Sequence, residues 1–396
     1  MRWKVFHLLR YLSSRHRCDV IAFSSDDKPD LTALRRELPA VNWLGAVPAT
    51  TGFLRWVKAG IALLSGKPVS LARFQNPAFS QNLKAAVARC PYDVVHYDIV
   101  NMAQHLVVGI PSVHSPNDAT SLFYMRMAAN ASSWLVRMRL MVGAALLRRY
   151  ERCNYPKFTK IHVVSKIDAD FLRLNVPAAD VVFIPFGVAE VDAKPDISGV
   201  GTQVTDSNLV LVLGGANVPG VAAGIEEFIH AAIPVIARRY PSAKFRIQGR
   251  ETDILLPRIG KLTANVTGST WVDDLDALIR AAAVIVLPDK AGTGIKTRAL
   301  DALSCGAAVV GTTVAFEGIR EYVKNGQHCV IVDSMSSLAN EVLALLEDPP
   351  RRHSLGAEAS QLVRNELSWS RLGPEYEKLY RTAAESSSST FQKSVT

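Results

Sequence analysis

Short apolar runs alternate with helix-period segments along almost the whole chain, and this alternation restricts the fold more than any other feature. In the first half, "CDVIAF", "YDVVHYD", "IPSVHS", "KIHVVS" and "VVFIPFG" read as strands. Between them lie the helical "NPAFSQNLKAAVARC", a long helical region from Ser121 to Arg152, and "IDADFLRLN". Strands separated by helices close as parallel sheets, because each connection must return along the sheet and lay its helix on a face. The second half restarts with the strand "LVLVLGG" (Leu209–Gly215) and the helix "GIEEFIHAAIPVIARRY" with an acidic first turn. It continues through "AKFRIQG", "ANVTGST", "DDLDALIRAA", "AVIVLP", "KTRALDALSCG" and "AAVVGTT". A polar stretch, Ala189–Asn208, interrupts the pattern and reads as a linker. The expected architecture is α/β, with two doubly wound, Rossmann-like domains at 1–190 and 209–370 joined through 191–208. They would face each other across a cleft, with ligands at the carboxyl ends of the strands where the sheet order switches. Residues 371–385 read as a closing helix, and the serine-rich 386–396 as a disordered tail.

A chain of 396 residues suits two domains, and 48% apolar with 20% charged residues supports real cores. No run of about 18 uncharged apolar residues occurs, so no spanning helix is expected. The opening "MRWKVFHLLRYLSSRHRCDV" is interrupted by Arg10, Arg15 and Arg17 and lacks a small-residue cleavage site, which makes it a poor signal peptide. Cys18, Cys90, Cys153, Cys305 and Cys329 are scattered, without CxxC or metal-ligand spacing, as expected of reduced thiols in a cytoplasmic protein. The charge is uneven. Residues 1–200 hold 25 Lys and Arg against 15 Asp and Glu, and residues 201–396 hold 20 against 21. A basic first half fits an anionic membrane surface or a phosphorylated substrate. No helix-turn-helix, zinc-finger or RNP signature accompanies it, so nucleic acid is not an expected partner.

Five segments, in order, carry a family resemblance. They are "VVSKIDADFL", "VVFIPFGV", "LGGANVPGVAAGIEEFIHAAIPVIARRYPSAKFRIQGR", "VTGSTWVDDLDALIRAAAVIVLPDKAGTGIKTRALDALSCGAAVVGTTVAFEGI" and "SWSRLGPEYEKLY". From about Lys160 to Ala384 the chain resembles the retaining nucleotide-sugar glycosyltransferases of the GT-B fold, family 4 (group 1). "GTGIKTRALDAL" is similar to a subgroup with Gly-x-Gly-Ile-x-x-Lys-x-Leu-Glu-Ala where other members carry Glu-x7-Glu. Thr293 and Asp301 stand at the two glutamate positions. "RWKVFHLLRYLSSRHRCDVIAFSSDD" resembles the subgroup's first helix and second strand. The resemblance implies that the closing helix returns to the N-terminal domain. It also implies a first strand and glycine-bearing loop ahead of that first helix, which here follows Met1 directly. Either the true start lies upstream or the chain is a truncated paralogue.

The same resemblance sets expectations for a site. A nucleoside diphosphate needs backbone N–H groups at a helix start, preferably a cation, and a carboxylate for its ribose. Gly292, Thr293, Gly294 and Ile295 supply the N–H groups, and Lys296, in the first helical turn, meets the phosphates. Asp301 holds the ribose with a carboxylate one methylene shorter than the family's. Arg250, at the end of "FRIQG", is a second phosphate candidate or an ordinary loop arginine. Asn217 lies in the loop after "LVLVLGG", where many relatives carry an arginine and a lysine that this chain lacks. In the first domain, "IPSVHSPND" places His114 after a strand, where relatives carry a histidine near the reacting centre, with Asp118 four residues on to orient sugar or acceptor. His96 and Asp98 of "VVHYD" are secondary candidates. No nucleophile is assigned, and neither a metal-ligand cluster nor an Asp-x-Asp motif is present, so no metal or cofactor is expected beyond the nucleotide sugar as co-substrate.

Between Arg126 and Lys160 there are eight basic residues and one acidic residue, Glu151. "SWLVRMRLMVGAALLRRYERC" and "TGFLRWVKAGIALLSGKPVSLARF" mix such cations with large apolar residues. Such segments suit either an anionic membrane surface or buried helices whose arginines snorkel at their ends. The functional expectation is a retaining glycosyltransferase that moves a sugar from a nucleoside diphosphate to a glycan or lipid-linked acceptor in cell-surface polysaccharide or glycolipid synthesis. It would work in the cytoplasm, peripherally on the inner face of the membrane. The alternative is a degenerate, non-catalytic protein that binds sugar nucleotide or carbohydrate.

Overall fold

The computed structural model describes residues 2–25, 30–131, 133–188, 206–259 and 265–393. They form two compact units, Met1–Gly187 with Trp369–Thr396, and Val188–Ser368. The linker expected at 191–208 lies largely outside the described residues, and its last three residues open a strand of the second unit.

In the first unit the apolar runs form strands in two parallel sheets. β1 (Cys18–Ser24) pairs with β2 (Val41–Pro48). β3 (Val95–Asp98), β4 (Ser112–Asn117), β5 (Lys160–Val163) and β6 (Val181–Phe183) follow one another in the second sheet. Among the described residues no ladder joins β1 to β3. Every residue of β4 is buried, as expected for a strand with neighbours on both sides and cover on both faces. The helical region expected from Ser121 to Arg152 is two helices, Thr120–Ala129 and Trp134–Asn154. They pack closely: a Cβ built on Gly143 would meet the Tyr124 ring at 2.9 Å.

The C-terminal helix, Trp369–Lys393, belongs to this first unit. Its Trp369, Tyr376, Leu379 and Ala383 share a core with Leu8, Val113 and Ile184. It also corrects the expectation of a disordered tail at 386–396 over its described part, because the helix runs to Lys393, while 394–396 lie outside the described residues. The helix is already nucleated by its packed half, so each further residue adds one backbone bond without a new nucleation cost.

The second unit carries β7 (Asp206–Leu213), β8 (Lys244–Gln248), β9 (Val266–Ser269), β10 (Ala282–Leu287), β11 (Val309–Thr312) and β12 (Val330–Val332). Their order is β12-β11-β10-β7-β8-β9, all parallel. The sheet grows one way from β7 through β8 and the other way from β10 through β11. The crevice outside the carboxyl ends of β7 and β10 is therefore its switch point.

The helix after β7 starts at Pro219 rather than the expected Gly224, so Glu226 and Glu227 are not in its first turn. Proline is at home in a first turn, where its missing N–H would have no partner anyway. A second proline, Pro234, lies just after a π-helical turn at Phe228–Ala232. The wider turn accommodates a residue that can donate no helix bond. By length and composition Pro219–Arg239 could cross a membrane. It is instead a core helix, with Val221, Ile225, Phe228, Ile233 and Ile236 buried among the strands of the second unit.

Candidate functional site

The loop from Pro288 to Lys296 leaves β10 at the switch point and leads into the helix Thr297–Ser304. Residues without side chains clamp it on two sides. A Cβ on Gly224 would lie 1.7 Å from the Pro288 carbonyl oxygen, and one on Gly220 would lie 2.5 Å from that of Ala291. On the other side, a Cβ on Gly318 would lie 2.3 Å from the Gly294 carbonyl oxygen. The loop backbone is thus pressed between two backbone surfaces, and Gly294 takes the left-handed conformation, φ 64°, that lets it turn there. Lys290 N–H donates to the Gly220 carbonyl at 3.0 Å, and its ammonium pairs with Glu227 at 2.5 Å.

Five of the residues expected at the phosphates fall together here. Gly292, Thr293, Gly294 and Ile295 line the turn ahead of the helix. Lys296 is the residue capping the helix, one position before its first turn, and its side chain is buried. Its Nζ donates to the carbonyls of Thr293 (2.8 Å) and Gly294 (3.2 Å). The ammonium therefore folds back over the loop and fixes a positive charge at the carboxyl end of β10. The buried Thr293 hydroxyl makes no hydrogen bond within the protein. Arg298 is committed elsewhere, to the fully buried Asp289 carboxylate, which no sequence signal singled out. A buried carboxylate requires such a partner. Its other oxygen, Oδ1, has no hydrogen-bond partner.

Asn217 and Arg250 stand on neighbouring loops, both exposed. Ala216 N–H donates to the Arg250 carbonyl at 2.8 Å, which brings the loops after β7 and β8 together. Asp301 lies on the second turn of the helix, partly buried. Burial first, and the Asp276 carboxylate second, push it from its ordinary 3.8 up to about 7.

In the first unit the structure corrects one expectation. His114 is not in a loop after a strand but inside β4, fully buried. Its ring stacks on Phe158 and meets Tyr155 edge-on, and Nδ1 lies 3.1 Å from the Tyr97 carbonyl. Burial pulls it down to about 3, so the ring is neutral. β4 continues past Val113 to Asn117 and pairs His114 with Tyr97 on one side and Ile161 on the other, which carries its ring into the core. Asp118, by contrast, stands just beyond the carboxyl end of β4 and is partly exposed.

His96 and Asp98 are both in β3 and join a network the sequence did not announce. Lys4, buried near the start of the first helix, donates to Asp98 (2.7 Å), Ser115 (3.1 Å) and Asn117. Burial alone would raise the Asp98 carboxyl. The Lys4 ammonium and His96 outweigh it and hold that carboxyl well below the usual carboxylate range. Ser115 Oγ lies 2.5 Å from His162 Nδ1, and His96 Nδ1 lies 3.0 Å from the Tyr380 hydroxyl on the C-terminal helix. Ile99 and Asn117, at the ends of β3 and β4, have φ of 65° and 74°. Positive φ in non-glycine residues marks a backbone held in a costly conformation by its surroundings. Asp168, the first of the two acids in "VVSKIDADFL", fixes the turn after β4. It accepts from Ala119 N–H at 2.9 Å and bonds Ser165, the helix-capping serine.

Two family models match the chain. Glycosyltransferase Family 4 covers residues 4–190, and Glycosyl transferases group 1 covers residues 207–348. An uncharacterized glycosyltransferase of Methanocaldococcus jannaschii is 24% identical over 134 residues, 32% of this chain. The match spans about a third (34%) of that relative's length. Among solved structures, sucrose-phosphate synthase from Thermosynechococcus elongatus superposes with a TM-score of 0.65 at 17% identity, over 92% of this chain and 99% of the other. WaaG, a glycosyltransferase involved in lipopolysaccharide biosynthesis, gives 0.64 at 15% identity, over 96% and 95%. Anabaena HepE, solved in complex with UDP and glucose, gives 0.62 at 14% identity, over 95% and 94%. Two parallel-sheet units, a glycine-clamped loop at a switch point and these matches agree: the chain belongs to the group 1, family 4 glycosyltransferases and has their GT-B fold of two Rossmann-like units.

Proposed function

We propose that the chain transfers a hexosyl group, with retention, from a nucleoside diphosphate sugar to a glycan or lipid-linked acceptor. The observation that carries this reading is the Lys296 ammonium, held on two loop carbonyls beside the switch point of the second unit. Breaking the sugar–phosphate bond leaves a diphosphate with growing negative charge. A cation already fixed in place stabilises that charge without reorganising, and so lowers the barrier. The N–H groups of Gly292–Ile295 add to it at the helix start. Asp301 meets the ribose hydroxyls, and Arg250 and Asn217 reach the phosphates from the loops after β8 and β7. UDP in the HepE complex makes uridine the first base to test.

Thermal shift against a panel of nucleotide sugars, followed by isothermal titration, tests the reading. UDP or a UDP-sugar should stabilise the protein, and Lys296→Met should weaken binding by about tenfold to a hundredfold, the worth of one charge-assisted hydrogen bond. No shift with any nucleotide sugar, or binding unchanged in Lys296→Met, would sink it.

Two observations favour a binding-only role: the loop Gly214–Val218 carries no cation, and His114 is enclosed in the core. Turnover separates the two. Donor hydrolysis or transfer by the wild type supports the enzyme, and nucleotide binding without release of sugar supports the binding protein.

A further inference from the structure

The helix Gly52–Leu64 is packed the opposite way from an ordinary surface helix. Its two buried residues are the small Ala59 and Ala62. Its large apolar side chains face out: Leu64 is 91% exposed, Phe53 82% and Trp56 69%, with Leu54, Ile61 and Leu63 also exposed. A soluble helix turns such residues inward, because water gains nothing from surrounding them. The helix Trp134–Asn154 repeats the anomaly in its first turns, where Trp134 is 67% exposed and Leu135, Val136, Met138, Met141 and Val142 are exposed with it. The two helices meet near their carboxyl ends, where the Arg149 guanidinium lies against Gly66, just past the end of the first helix, with Nη1 3.3 Å from where a Cβ would stand.

Charge selects the occupant of this surface. Between Leu38 and Tyr92, and again between Ala119 and Tyr150, the sequence holds no Asp or Glu and eleven Lys and Arg. Several of those cations are exposed among the apolar residues, Arg55 in the first helix and Arg137 and Arg139 in the second, while Lys58 turns its ammonium to the Thr50 hydroxyl and the Gln75 carbonyl. Met141 also lines a groove of about 610 Å³ shared with Met125, Ala144, Arg148, Arg149 and Arg152. Exposed apolar side chains interspersed with arginines, in stretches of sequence that hold no acid, match a surface with an apolar interior and anionic headgroups.

We propose that the helix Gly52–Leu64, together with the exposed first turns of Trp134–Asn154, docks the first unit on a bilayer containing anionic lipid. Phe53, Trp56, Leu64 and Trp134 enter the headgroup–acyl boundary, and the arginines hold the lipid phosphates. The surface lies wholly in the first unit, and its test needs no turnover, so it stands or falls separately from the nucleotide-sugar reading.

The full chain is mixed with vesicles of phosphatidylcholine alone, or of phosphatidylcholine with phosphatidylglycerol, and sedimented. The wild type should bind the anionic vesicles at least about tenfold more tightly, with blue-shifted tryptophan emission, and salt should weaken the difference. The double variant Trp56→Glu/Leu64→Glu should lose vesicle binding. Arg137→Glu/Arg139→Glu should lose the preference for anionic lipid. Both pairs are exposed, and unchanged circular dichroism confirms the fold. The proposal is overturned by negligible binding to both vesicles, by equal binding to both, or by variants that bind like the wild type. It is overturned equally by a concentration-dependent dimer that shields Trp56 while vesicles are ignored, which would assign the surface to a second copy.

Discussion

At the scale of single residues, the same chemical group does different work according to its surroundings. Lys296 was legible because it follows a glycine-bearing loop, and the structure places it where the loop and helix meet. Lys4 was not legible, since nothing in "MRWKVF" marks a lysine that will end beneath Asp98 and Asn117. His114 looked like a loop residue just after a strand and is a buried ring. Asp301 supplies a prediction. Its folded-state value, about 7, lies above its ordinary 3.8, so the folded protein holds the proton more tightly than the unfolded chain does. The resulting stabilisation is complete below about pH 4 and is lost as pH rises through about 7. Asp301→Asn cannot titrate. In melts without nucleotide it should gain on the wild type between those limits and level off above pH 7, by about 1–3 kcal/mol. A stability difference that does not move with pH would contradict this account of the site.

Elements show why small residues matter at the site. The helix Pro219–Glu227 lies against the Pro288–Ala291 backbone through Gly220 and Gly224. Since a Gly224 Cβ would fall 1.7 Å from a backbone oxygen, no side-chain rotation can relieve it. Gly224→Ala should cost about 3 kcal/mol or more and displace the loop Pro288–Lys296, the proposed phosphate site. The checks are a lower Tm together with a larger loss of nucleotide affinity than destabilisation explains. Wild-type-like melting would mean that the helix can shift away freely. The alternation of apolar runs located these elements well, because period and length are local properties. Boundaries were less legible. Pro219 begins its helix five residues before the expected Gly224, and the serine-rich end stays helical to Lys393 because a packed helix is already propagating through it.

For the whole molecule, the consequential fact is that the chain's last helix belongs to its first unit. Trp369, Tyr376 and Leu379 bury large side chains beside Leu8, Val113 and Ile184. Each such burial contributes about 1.5–3 kcal/mol. Truncation after Ser368 should therefore destabilise the first unit by about 5 kcal/mol or more, enough to unfold many domains. Limited proteolysis should then cut within Met1–Gly187 while fragments of Val188–Ser368 persist. Equal resistance of both units in the truncated chain would show that the helix is dispensable.

The sequence by itself determined the class of fold, the two-fold repetition of the β/α pattern and the phosphate-loop candidate around Lys296. The first two follow from local periodicity, and the third from a glycine-bearing stretch read through its family resemblance. The tertiary structure decided what no local pattern encodes: the pairing of Asp289 with Arg298, the Lys4 network, the enclosure of His114 and the outward turn of Trp56 and Leu64. Those depend on which distant segments meet. Burial, and with it the protonation and reach of every side chain, is set by neighbours far away in the chain.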